Sequence, residues 1–190
     1  MKNRNTKQVV GVGLFTAIVV VLQLLGSFIK LGPFSISLVL VPIVVGAALY
    51  GYKAGAWLGF VFGLAVLLSG DAALFMTINV PGTLITVLAK GTLAGLLSGL
   101  CYKLVEKFNP TLAVTVSAVV CPIVNTGVFL LGCVVFFMDT IEGWAAASGY
   151  ASAGADLVVA MVGFNFLLEL LANILLGPVI VRLIGLGKKN

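Results

Sequence analysis

Six long apolar runs, broken only by short polar intervals, limit what this 190-residue chain can become. They cover about residues 9–29, 35–51, 54–70, 82–104, 111–137 and 157–184. The hydrocarbon core of a bilayer is about 30 Å thick and takes about 20 helical residues to cross. Inside it every backbone N–H and C=O must be bonded within the structure, which leaves helices or closed barrels. Barrel strands alternate lipid-facing and lumen-facing residues, whereas these runs are apolar throughout. The expectation is an all-α membrane protein of six transmembrane helices, residues 1–190 forming one domain. A charged fraction of 9% agrees, since soluble proteins carry about 25%.

Charge then sets orientation. With both termini cytoplasmic, Lys2, Arg4, Lys7, Lys53, Lys103, Lys107, Arg182, Lys188 and Lys189 all fall inside. The outer loops keep Lys30 beside Asp71, Asp139, Glu142 and Asp156. That asymmetry is the positive-inside pattern. The net charge of +5 is accordingly an orientation signal and does not point to nucleic acid. Met1–Gln8 resembles the basic start of a secretory signal, but the run behind it exceeds the usual length of about 7–15 residues. Ser27-Phe28-Ile29-Lys30 also lacks a small-residue cleavage pattern, so the segment reads as a retained first helix.

The cytoplasmic connections are tight: Gly51-Tyr52-Lys53, and Lys107-Phe108-Asn109-Pro110, where Asn109 suits a helix cap and Pro110 a first helical position. The external ones are longer, at Lys30–Phe34, Asp71–Pro81 and Met138–Asp156, the last carrying Trp144 and Tyr150. Glycines recur every four residues at Gly55, Gly59 and Gly63, and at Gly91, Gly95 and Gly99, a pattern that lets helices approach closely in lipid. Gly13 and Ala17, with Val21 one turn on, form a weaker small-residue face on span one.

Two full charges interrupt the spans. Lys90 ends the run Pro81-Gly82-Thr83-Leu84-Ile85-Thr86-Val87-Leu88-Ala89-Lys90, and Glu169 follows Phe164-Asn165-Phe166-Leu167-Leu168. An ionised group at a helix centre costs roughly 2.5–3.5 kcal/mol even on lenient scales. Asn165, Glu169 and Asn173 share one helical stripe. Counting about 1.5 Å per residue, Lys90, Asn165, Glu169 and Asn125 reach similar depths of about 12–18 Å in the outer half. Thr86 and Thr83 lie above Lys90, and Gln23 and Ser27 near the outer end of span one. Such a convergence suits a pocket open to the outside, offering a cation, a carboxylate and amides to a small polar solute. The candidate set is Lys90, Asn125, Asn165, Glu169 and Thr86, with Asn79 and Trp144 from the outer loops. The alternative is internal: Lys90 pairs with Glu169 to fix helix register, and the asparagines join helices.

No phosphate loop, zinc-protease motif or Ser/His/Asp set is present, and nothing in the sequence supports an enzyme or a cofactor. The chain has no histidine, and Cys101, Cys121 and Cys133 form no C-x-x-C pair, so a metal site is not expected. Nor are paired broken helices visible, the usual mark of a secondary transporter.

A solute binder without its own energy source resembles the substrate-binding S-components of energy-coupling factor (ECF) vitamin transporters. The stretches that carry the resemblance are Val41-Pro42-Ile43-Val44-Val45-Gly46-Ala47 and Gly55-Ala56-Trp57-Leu58-Gly59-Phe60-Val61-Phe62-Gly63-Leu64. Asn125-Thr126, Asn165-Phe166-Leu167-Leu168-Glu169-Leu170 and Gly177-Pro178-Val179 complete it, and they look like the pantothenate- and riboflavin-type branch. The resemblance implies a subunit of a prokaryotic plasma membrane that captures a vitamin or precursor from outside. Its partners would be a transmembrane scaffold subunit and two cytoplasmic ATPases, with scaffold contact mapping to Gly13, Ala17 and Val21. In pantothenate-type members the position aligned with Lys90 is often arginine; lysine keeps the charge without the bidentate fork. The expected solute is a small carboxylate such as pantothenate. The alternatives are riboflavin, approached by Phe75, Trp144 and Tyr150, or a stand-alone cation-coupled carrier using Glu169.

Overall fold

The computed structural model describes residues 2–27, 30–31, 34–35, 38–147 and 164–176. In chain order these form α1 (Lys2–Gly26), β1 (Lys30–Leu31), β2 (Phe34–Ser35), α2 (Leu40–Tyr50), α3 (Tyr52–Ser69) and α4 (Ala73–Met76). They continue as α5 (Val80–Val105), α6 (Pro110–Phe136), α7 (Met138–Ala147) and α8 (Phe164–Leu175). Thr6–Gly26, Tyr52–Ser69, Val80–Val105 and Pro110–Phe136 are long and apolar enough to cross a membrane, and Leu40–Tyr50 and Phe166–Leu175 are shorter apolar helices. The chain is a helical, multi-pass membrane protein.

The second apolar run departs most from its sequence reading. Its first residue, Ser35, and Phe34 just before it pair with Lys30 and Leu31 in a small antiparallel hairpin. Helix starts only at Leu40, and its 11 residues reach about 16 Å. α2 compensates by being buried nearly all round, as expected of a helix apolar on every face. Leu40, Ile43 and Val44 have no exposed surface. A single residue, Gly51, turns the chain from α2 into α3 at φ +91°, where a side chain would be strained. Two further helices occupy stretches read from sequence as outer loops. α4 lies between α3 and α5, and α7 begins at Met138, where Ile141 and Ala145 repeat at helical spacing and turn inward.

α3 and α5 form the most intimate pair. A Cβ added to Gly55 would meet the Gly95 carbonyl, one on Gly59 the Gly91 carbonyl, and one on Gly63 would lie 2.9 Å from the Val87 carbonyl. The helices therefore run antiparallel, with backbone touching backbone along two turns. The four-residue glycine repeat is this seam. α6 returns antiparallel along the other side of α5, pairing Gly82 with Phe136, Gly132 with Thr86, and Ser98 with Ser117 through a 3.0 Å hydroxyl contact. Its start follows the sequence: Asn109 Oδ1 accepts from the N–H groups of Thr111 and Leu112 at 2.9 and 3.1 Å, with Pro110 opening the helix.

α1 stands apart. Val9, Val10, Leu14, Val21 and Leu25 point away from the bundle. Its inner side meets Tyr50 through Gly11 and Phe15, and Trp57 Nε1 donates to Thr16 Oγ1 at 3.1 Å.

Candidate functional site

α5 delivers the lysine. Its start is fixed by Asn79, whose Oδ1 accepts from Gly82 N at 2.9 Å, with Pro81 in the first turn. Thr83 Oγ1 donates back to the Asn79 carbonyl at 2.7 Å. Asn79 thus works as a helix cap at the rim. Ten residues on, about 15 Å along the axis, Lys90 leaves the face between α3 and α6. Its Nζ stands 5.3 Å from the centre of the Phe129 ring on α6 and 5.8 Å from that of Phe62 on α3. Phe62 is only 2% exposed, so the ammonium reaches into the bundle, yet the Lys90 side chain remains partly accessible.

α6 presents Asn125 one turn from Phe129, on the same face. Asn125 is buried, and its Oδ1 accepts no hydrogen bond. The antiparallel register places it about one turn deeper than Lys90. Thr86, one turn toward the rim from Lys90 and packed on Gly132, also has a buried oxygen without a partner. α8 supplies Glu169, 5% exposed, whose charge acts on Lys90 and on Cys121. Asn173, one turn further, is fully buried; its Nδ2 donates to the Glu169 carbonyl at 2.9 Å and its Oδ1 has no partner. Buried polar atoms are nearly always hydrogen-bonded. Three such orphaned oxygens lie on α5, α6 and α8, in the bundle that the Lys90 ammonium enters.

Of the sequence candidates, Lys90, Thr86, Asn125 and Glu169 thus share one region. Asn165 lies in the first turn of α8, and its side chain falls outside the described residues. Trp144 sits on α7, in an aromatic cluster rather than on a loop. Its ring is 6.3 Å from Phe75, which is 5.6 Å from Phe129 and 5.0 Å from Phe137. Trp144 therefore connects to Lys90 through two intervening rings. Tyr150 lies outside the described residues. Gly13, Ala17 and Val21 are exposed together on α1, and a Cβ added to Gly13 would meet nothing within 4 Å.

Sequence reasoning left out three participants. Phe62 follows Gly59 by three residues, so the glycine repeat itself aims it at α5. Phe129 follows Asn125 by four, a spacing that puts both on one face. Asp71, read as a loop charge, follows the left-handed Gly70 that ends α3 at φ +82°. It receives a short hydrogen bond of 2.6 Å from buried Gln23 of α1, and after Glu169 it is the carboxylate that acts most on Lys90.

Residues 7–181 match the family model described as ECF transporter, substrate-specific component. Among curated proteins, the pantothenic acid transporter PanT of Lactococcus lactis subsp. cremoris (strain MG1363) is 27% identical over 207 aligned positions, covering 100% of both chains. No solved structure gives a significant match. With the match spanning nearly its whole length, this chain belongs to the family of ECF transporter substrate-specific components.

Proposed function

We propose that the chain captures a small carboxylate of the pantothenate type from outside the cell and hands it on for ATP-driven uptake. The observation that carries this is one ammonium reaching into a bundle that also holds three orphaned acceptors. Lys90 calls for an anion, while Thr86, Asn125 and Asn173 call for hydroxyl or amide donors. Pantothenate carries one carboxylate, two hydroxyls and an amide N–H. Full-length similarity to a pantothenic acid transporter supports the same choice. The binding set is Lys90, Thr86, Asn125, Asn165 and Glu169, joined by Asn173, with Asn79 and Trp144 at the mouth.

In this reading six helices span the membrane with both termini cytoplasmic. The Asn79 end of the bundle faces outward, in a prokaryotic plasma membrane. The scaffold subunit docks on the exposed face of α1 around Gly13, Ala17 and Val21, and two ATPases drive release. Close approach of helices in lipid is favoured where side chains are small.

Calorimetric titration of the purified chain with pantothenate tests this. One solute should bind per chain without ATP, and proteoliposomes containing the chain alone should fail to concentrate it, with or without an ion gradient. Accumulation by the isolated chain would establish a stand-alone carrier instead, and absence of binding would remove pantothenate as the solute.

A further inference from the structure

Lys90 carries its charge on a flexible four-carbon stem with three rotatable donors. Two carboxylates, Glu169 and Asp71, act on that charge from α8 and from the turn after α3. A lysine so placed is readily captured by one of them and lost to a solute. Its ammonium also stands between two ring systems on different helices, 5.3 Å from the centre of Phe129 and 5.8 Å from that of Phe62. Both lie within the reach of about 6 Å over which a ring face attracts a cation. A ring face draws the charge without taking up the directional N–H donors as a carboxylate does, so those donors stay available to a third partner.

We propose that Phe62 and Phe129 are positioning residues for solute recognition: they hold the Lys90 ammonium aimed between α3 and α6, ready for a carboxylate. This rests on Lys90 being the solute's counter-ion. The two rings are unequal. Phe62 is fixed beside the glycine seam, flanked by Gly59 and Gly63 where α3 touches α5. Phe129 belongs to the aromatic cluster of Phe75, Phe137 and Trp144, so it links the lysine's position to the α4 and α7 end of the molecule. The seat also gives lysine an advantage at this position. A compact ammonium fits between two ring faces, whereas a planar guanidinium prefers to stack on one of them or to fork onto a carboxylate.

The experiment compares pantothenate with its uncharged alcohol analogue, in which CH2OH replaces the carboxylate. Position 129 carries phenylalanine, leucine, or phenylalanines of increasing ring fluorination, which weaken the ring's negative face with little change of shape. Phe129→Leu should cut the preference for the carboxylate over the alcohol about tenfold. Affinity for the alcohol and the melting temperature should stay near wild type. The fluorinated series should lose carboxylate affinity stepwise. A flat fluorination series, or equal losses for both ligands, would overturn the proposal. Lys90→Ala separates the two levels: if it weakens pantothenate binding while the fluorinated series stays flat, only the ring seat fails. If Lys90→Ala changes nothing, or wild type binds neither compound, the counter-ion reading fails and the seat falls with it.

Discussion

Gln23 on α1 donates a 2.6 Å hydrogen bond to Asp71, the carboxylate that follows α3 and acts on Lys90. α1 otherwise turns mostly apolar side chains outward, and Gln23 is its buried polar link toward the site, 3% exposed. Replacing Gln23 by leucine should release Asp71 toward Lys90 and weaken binding of an anionic solute severalfold, about 1 kcal/mol as for the loss of one hydrogen bond. Titration of pantothenate against the variant checks this; an unchanged affinity would show that Asp71 holds its place without Gln23.

Lys90→Ala should weaken pantothenate binding by about 2–5 kcal/mol, the range for truncating one member of a buried charge pair. Glu169→Gln should cost less, or tighten binding, because it removes a rival anion. If Lys90 serves only to pair with Glu169, both single variants should lose folded protein, and joint replacement by Met and Leu should restore it. Affinity and melting temperature on the three proteins decide between these outcomes.

Asn173→Leu should raise the melting temperature of the solute-free protein while lowering solute affinity. An unmet buried acceptor costs about 1–3 kcal/mol, and a leucine of similar size removes that burden along with the contact. Lower stability in the variant would mean that Asn173 earns its place through the Glu169 carbonyl instead.

Gly59→Ala should destabilise by about 1–3 kcal/mol, the usual cost of overpacking, because its new methyl meets the Gly91 carbonyl, a backbone group that cannot rotate away. Gly13→Ala, open on the outer face of α1, should be neutral or slightly stabilising. Thermal melts of the two in the same detergent give the contrast directly.

Ala17→Leu should leave solute affinity and melting temperature unchanged and abolish transport by the assembled complex, since it overfills an exposed small-residue face. Equal losses of affinity and transport would place that face inside the subunit's own packing.

Much of the architecture is written in local patterns. The glycine repeats specify the α3–α5 seam because period-four small residues have few other uses in lipid, and Asn109-Pro110 announces the start of α6 by cap chemistry. α2 was harder to bound. Hydropathy is continuous from residue 35 to 51, so nothing marks where the hairpin gives way to helix at Leu40. The helix α4 is a single apolar turn, too short to show a period, and α7 is a short amphipathic segment that looks like a polar connection. At the site, the polar residues were visible by their cost in an apolar span. Phe62 and Phe129 were not, since a phenylalanine among apolar neighbours carries no mark until the register of facing helices is known.

The backbone contact between α3 and α5 has a kinematic consequence. Helices that touch through Gly55, Gly59, Gly91 and Gly95 have no interdigitating side chains there to re-sort, so the pair translates and rotates as one piece. Phe62 and Lys90 both ride on that piece. Phe129 travels with α6, and Glu169 with α8. The distance from Lys90 to Phe62 is thereby set within one frame, while its distances to Phe129 and to Glu169 depend on how α6 and α8 pack against that frame. Under the proposed function, a change at the site on solute binding should register as a displacement of α6 and α8 measured against α3 and α5.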